Sequence, residues 1–280
     1  MHTNSLERSI ILADAHVHLY PDFDLAEFFN TAHQHFKKVV ERQSPRGSWA
    51  AFLFLAETKE ENAFSQFSRM SEGNAPEASI RTGEWHFHKT KERDSLYGCL
   101  NPTEGLYLIA GRQIKTADNL EVLALGTQES FREGLSLKEL VQLIQAAGAM
   151  PVIPWGVGKW LGSRGRTIKN LLQHQEDPPF FLGDSKHRPV FYPKSALFKQ
   201  AARKGVKTLP GSDPLPFPRQ SKVPGSYGFW LRGDFDPDYP LRSIKTLLLD
   251  PRICPVPYGR RESPGPFLWN QFRLRFRGGR

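Results

Sequence analysis

The chain of 280 residues contains only two cysteines, Cys99 and Cys254. Two isolated thiols make neither a disulfide framework nor the paired cysteines of a structural zinc knuckle. No apolar run approaches the roughly 20 residues of a membrane helix. The polar first residues also lack the pattern of a secretory signal. The sequence shows no internal repeat, no long low-complexity linker and no phosphate-loop spacing. Together these absences lead to the expectation of a cytoplasmic protein with one domain over 1–280. A hydrophobic fraction of 39% and a charged fraction of 24% are globular values. The length suffices for a sizeable core.

Acidic residues are scarce at one end. Between Arg252 and Arg280 stand seven arginines and one glutamate, Glu262, so most of the formal charge of +9 belongs to a basic amphipathic segment, 252–280. Within it Phe272, Leu274 and Phe276 alternate with Arg273, Arg275 and Arg277. That period of two predicts an amphipathic edge strand with a solvated arginine face; contact with nucleic acid through these arginines is the alternative. The rest of the chain is near neutral, which argues against a dedicated nucleic-acid protein.

Short apolar runs alternate with amphipathic stretches along the chain. Ile10-Ile11-Leu12 reads as a buried strand, followed by a helix capped by Asp24 and running to about Arg42, with Leu25, Phe28, Phe29, Ala32, Phe36 and Val39 on one face. The Ser44-Pro45-Arg46-Gly47 cluster ends it. Trp49–Ala56 is a second buried strand and Glu60–Met70 a helix. Residues 71–105 give little signal apart from a short strand near Trp85–His88. Gly105–Ile114 and Leu120–Leu125 read as hairpin strands. Helices at Ser136–Ala147, Arg166–Gln173 and Pro193–Lys204 then alternate with strands at Met150–Ile153, Phe180–Leu182 and Val206–Leu209. The pattern predicts an α/β fold with a parallel sheet.

The most informative segment is Ala13-Asp14-Ala15-His16-Val17-His18 at the end of the first strand. Side chains alternate along a strand, so Asp14, His16 and His18 share a face. Two imidazoles and a carboxylate at a strand tip can hold a divalent metal. Ordinary hydrogen bonding of satisfied polar groups is the other reading, disfavoured because each buried polar group needs a partner. His86 and His88 also alternate but lack a nearby carboxylate and read as surface or core. His33 and His35, on the first helix, are read as solvated.

Polar residues also gather where the other strands end: Glu57 and Thr58, Gln113, Asp184 and His187, and Asp213. In a (β/α) barrel those ends form the active-site face. The expectation is therefore a TIM-like (β/α) barrel, distorted, with seven or eight strands. Trp155–Thr167 adds glycines and the cations Lys159, Arg164 and Arg166 after a strand. Such a loop can present backbone amides and positive charge to an anion, or be only a flexible connector.

These motifs resemble the PHP family of metal-dependent phosphoesterases and, more distantly, the amidohydrolase-type barrels. The opening ADAHVHLY is similar to the family's D-x-H-x-H, and Leu209-Pro-Gly-Ser-Asp213 to its closing G-S-D. Leu108–Ile114 with Leu120–Gly126 resembles the strand pair around the family's bridging glutamate. Gly148–Pro154 resembles the strand before another metal-binding histidine. The likeness runs from about Ile10 to Gly228, with only the first and last motifs specific. Departures are several: Glu57-Thr58 replaces Asp-His, Gln113 replaces the glutamate, Trp155 the later histidine, and Asp213-Pro214-Leu215 the final D-x-H. A full trinuclear site is therefore excluded.

The resemblance implies a metal-dependent hydrolase acting on a small anionic, phosphorylated substrate. Its ion (Zn, Mn or Fe) would be bound by His16, His18 and Asp213, with Asp14, Glu57 or His187 as further ligands. Asp213 or Asp184 would be the catalytic base, and Lys159, Arg164, Arg166 and Gln113 would bind substrate. The alternative is a binding or regulatory protein of the same fold that has lost most of its ligands.

Overall fold

The computed structural model describes residues 9–43, 47–73, 82–174, 180–192 and 195–277, with the side chains of residues 276 and 277 excepted. The expected breaker Ser44-Pro45-Arg46, the helix start at Pro193, the side chains of Phe276 and Arg277, and the chain beyond them lie outside the described residues. The elements in order are β1 (Ser9–Val17), α1 (Leu25–Gln43), β2 (Trp49–Leu55), α2 (Ala63–Ser71), β3 (His86–Lys89), β4 (Ser95–Asn101), β5 (Glu104–Ile109) and β6 (Gly111–Lys115). There follow β7 (Glu121–Leu125), α3 (Leu137–Ala146), β8 (Met150–Pro154), α4 (Gly162–Gln173), β9 (Phe181–Ser185), α5 (Ala196–Arg203) and β10 (Thr208–Gly211). The last are β11 (Tyr227–Gly233), α6 (Pro240–Leu249), β12 (Val256–Gly259) and α7 (Pro264–Arg277).

The strands form two mixed sheets, one of seven strands in the order β12-β11-β1-β2-β5-β4-β3 and one of five in the order β10-β9-β8-β7-β6. This corrects the expected TIM-like barrel: among the described residues no closed barrel is formed. The physical reason lies in the connections. Hairpins at β3–β4, β4–β5 and β6–β7 return the chain antiparallel without a helix, and β11 runs antiparallel to β1. A closed (β/α) barrel needs a helical crossover after each strand to keep all strands parallel.

Alternation along β1 sets the layers. Ile10 and Leu12 face a cluster that includes Phe28, Phe29 and Phe36 of α1 and Phe64 and Phe67 of α2. Ile11, Ala13 and Ala15 face a second cluster, shared with Leu123, Leu125, Val152, Phe181 and Leu209 of the five-stranded sheet. The inner faces of the two sheets thus pack on each other. A third cluster joins the five-stranded sheet to α3, α4 and α5. Burying each large apolar side chain contributes roughly 1.5–3 kcal/mol.

Where the sheets meet, ladders give way to single bonds. Asp213 N donates to His16 O (2.8 Å) on one side. On the other, Glu57 N donates to Gly111 O (3.1 Å) and Gln113 N to Glu57 O (2.8 Å). Close approach at the first junction requires Gly211, where a Cβ would fall 2.5 Å from both the Cβ and the backbone nitrogen of His16. Gly211→Ala is expected to push β10 off β1 and cost about 1–3 kcal/mol, as overpacking does. An unchanged melting temperature in a thermal scan would show that the junction yields freely.

Other sequence expectations are corrected. Gly105–Ile114 is not one hairpin strand. β5 belongs to the seven-stranded sheet and β6 to the five-stranded one, and the chain crosses between them at Ala110. Residues 264–277 form the helix α7, not an edge strand. Its hold is tertiary: Asn270 Nδ2 donates to Glu262 Oε1 (2.6 Å), Phe267 meets Phe191, and the Arg273 guanidinium lies 3.9 Å over the Phe217 ring. His33 is buried against Trp49 and Trp85, not solvated. Among the described residues no helix is long and apolar enough to cross a membrane.

Candidate metal centre

His16 is the penultimate residue of β1, His18 follows the strand, and Asp213 follows β10, so the site spans the junction of the sheets. The pairing of β1 with β2 is irregular between Asp14 and Val17, and this separates Asp14 from the two histidines. Nε2 of His16 lies 3.1 Å from Nε2 of His18. Oδ1 of Asp213 lies 3.6 Å from the first and 3.9 Å from the second. Among the described residues this is the group of histidine, cysteine and acidic side chains that could share an ion, with ligand atoms all within 4.8 Å of one another. Two ligands each about 2.0–2.1 Å from a common ion stand roughly 3 Å apart. The apposed imidazole nitrogens have that spacing, and the residues present fit a divalent metal.

Protonation favours ligation at two of the three residues, His16 and Asp213. Burial pushes the His16 imidazole down, against the pull of Asp213. For Asp213, burial acts upward, but the imidazoles of His16, His187 and His18 outweigh it and hold the carboxyl low. A neutral imidazole and an ionised carboxylate are the forms that ligate. For His18 burial acts downward, yet Glu61 and Asp213 raise it overall. Its Nδ1 lies 3.7 Å from Glu61 Oε2, beyond hydrogen-bond range but close enough for attraction.

A supporting shell fixes these side chains. Ser185 Oγ donates to Asp213 Oδ2 (3.0 Å), and His187 Nε2 donates to Asp213 O (2.7 Å) while its Nδ1 meets Glu262 Oε2 (3.0 Å). Both nitrogens of His187 are thus engaged, neither of them with the ligand atoms of the trio. Asp213 itself is held at φ 52°, in the left-handed region that a non-glycine residue adopts only when its surroundings impose it. Gln113 Oε1 lies 3.1 Å from His16 Nε2, so the structure brings this expected substrate residue to the site.

Other expected site residues are placed elsewhere. Asp14 accepts from Ser212 N (2.8 Å) and His16 N (3.3 Å) through Oδ1 and from Gly225 N (2.8 Å) through Oδ2. It is a buried clasp, and burial pushes its carboxyl up to about 6 against those bonds. Glu57 accepts from Phe64 N (2.7 Å), near the start of α2, and pairs with Arg112 (3.0 Å). Asp184 is held by Arg188 through two bonds of 2.7 Å and by the Tyr227 hydroxyl (2.8 Å), which leaves it poorly placed for proton transfer. Lys159 pairs with Glu121, and Arg164 donates to Gly158 O (3.1 Å). Arg166 lines a separate cavity with Trp160 and Lys169. Trp155 is buried against Tyr192.

Sequence reasoning missed Glu61, Ser185 and Glu121, whose charge reaches both His16 and His18. Glu61 Oε2 accepts from Thr58 N (2.7 Å) and so closes the turn that precedes α2.

No protein-family model matches the chain. No curated protein matches it in sequence. Among solved structures it resembles PsfC from Pseudomonas syringae PB-5123, with a TM-score of 0.54 and 14% identity over 96% of this chain and 99% of that one. It shares this fold. The lesion-specific endonuclease PfuEndoQ from Pyrococcus furiosus is also similar, with a TM-score of 0.51 and 11% identity. That match covers 89% of this chain but only 59% of the endonuclease.

Proposed function

We propose that the protein is a metal-dependent phosphoester hydrolase with one ion held by His16, His18 and Asp213. The observation that carries this reading is the pair of imidazole nitrogens 3.1 Å apart with the Asp213 carboxylate 3.6 Å and 3.9 Å from them. The fold shared with an endonuclease is consistent with it by analogy. Nitrogen and oxygen donors of this kind suit Zn, Mn or Fe. Such an ion, when bound, supplies a water acidified towards neutral pH and polarises a phosphoryl oxygen. Glu61 faces Nδ1 of His18 at 3.7 Å and attracts a proton there by its charge, which leaves Nε2 as the ligating nitrogen. Gln113 stands beside His16 through Oε1, and the NH2 end of its amide is the group that can donate to a substrate oxygen. Asp213 keeps 23% of its side chain exposed, which leaves the centre open to solvent and substrate. Asp184 takes no part in proton transfer in this reading, since Arg188 and Tyr227 occupy its oxygens.

A second reading, a binding protein that has lost catalysis, is favoured by Gln113 and the buried Trp155 at positions resembling ligand positions. Metal analysis after reconstitution, followed by an assay with 4-nitrophenyl phosphate, separates the two. The hydrolase should bind about one equivalent of Zn, Mn or Fe and lose turnover on chelation. A protein that retains no metal, or binds it without hydrolysing any phosphoester, overturns the proposal.

A further inference from the structure

Beside the candidate centre opens a groove of about 640 Å³, which no role described so far uses. Its floor is apolar, formed by Tyr20, Phe23 and Leu25, and its rim carries Asp24, Glu60 and Glu61. The groove adjoins the metal centre, and two of its lining residues touch His18. The Tyr20 ring stacks on His18 with centroids 5.5 Å apart, and Glu61 faces both the groove and His18 Nδ1. Phe23 stands edge-on to Tyr20 at 5.4 Å, extending the aromatic wall away from the ion ligands. The volume is that of a small organic group, and pockets that bind such groups are apolar with a few polar residues at the edge.

The geometry points to this groove as the pocket for the organic part of the substrate, an uncharged aromatic or alicyclic group whose phosphoester sits at His16, His18 and Asp213. This inference rests on the hydrolase reading and gives it a substrate class. The acidic rim selects against a second anion, because a phosphate or carboxylate entering there would meet three carboxyl groups. A polynucleotide running through this side is disfavoured for the same reason.

Calorimetric titration of the metal-loaded protein with phenylphosphonate, 4-carboxyphenylphosphonate and methylphosphonate, which are not hydrolysed, tests the pocket apart from catalysis. Phenylphosphonate should bind about tenfold more tightly than methylphosphonate, through burial of the ring. 4-Carboxyphenylphosphonate should lose most of that advantage. Gln66→Trp, which places an indole in the groove from the half-exposed side of α2, should bring phenylphosphonate down to the affinity of methylphosphonate. Leu25→Ser should act in the same direction if the first variant fails to fold. Equal affinities of the three ligands, or an aryl preference untouched by both variants, overturn the pocket assignment. Aryl preference without turnover of any phosphate would keep the pocket and overturn the hydrolase.

Discussion

The double variant His16→Ala/His18→Ala should drop from about one bound metal ion to near none while remaining folded. Removal of two of three ligands leaves Asp213 alone, and one carboxylate does not hold a transition metal against water. The fold should survive because the backbone contacts at this junction, Asp213 N to His16 O and Ser212 N to Asp14, do not use the imidazoles. Metal analysis together with far-ultraviolet circular dichroism checks both halves. Full metal content in a folded double variant would place the ion elsewhere.

Arg188→Met should cost about 3–5 kcal/mol of stability, because it leaves the Asp184 carboxylate buried without its partner. Arg188 and Asp184 are both buried, and the guanidinium also lies 5.6 Å over the Phe198 ring, so the variant loses packing as well. For a chain of this size the melting temperature should fall by roughly 10 °C. Metal content per folded molecule should stay the same. This outcome separates a structural Asp184 from a catalytic one: a stable Arg188→Met protein, with a stable but inactive Asp184→Asn, would restore Asp184 as the base.

The alternation of Ile10-Ile11-Leu12 and the spacing of Phe28, Phe29, Ala32 and Phe36 were legible because burial on one face leaves a period in the sequence. The candidate trio stood out for a different reason: imidazoles at alternate positions of a strand end are chemically unusual, and Asp213 follows a short strand closed by Gly-Ser. What the sequence did not disclose depends on long-range placement. The closed barrel was inferred from strand–helix alternation, but hairpins such as β4–β5 carry too mixed a pattern (Ser95-Leu96-Tyr97-Gly98) to announce themselves. Arg273 and Arg275 alternate with apolar residues as a strand would, yet Asn270, Phe267 and Arg273 anchor the segment as a helix. Asp184 and Glu57 were assigned to chemistry on the strength of their loops. Their partners, Arg188 with Tyr227 and Arg112, come from positions whose proximity only the fold creates. Glu61 and Ser185 act through other residues and have no motif of their own.

The position of the trio across the junction of the sheets has a mechanical consequence. His16 and His18 ride on the seven-stranded sheet and Asp213 on the five-stranded one, where only scattered bonds replace a ladder. An ion gripped from both sides would therefore be a rivet between two half-shells. Its grip would add to the resistance of the whole molecule to unfolding in proportion to how tightly it is held. Without it, the seam beside Gly211 would be the place where the two shells part first. Under the proposed reading, ion supply and durability of the fold would be tied together.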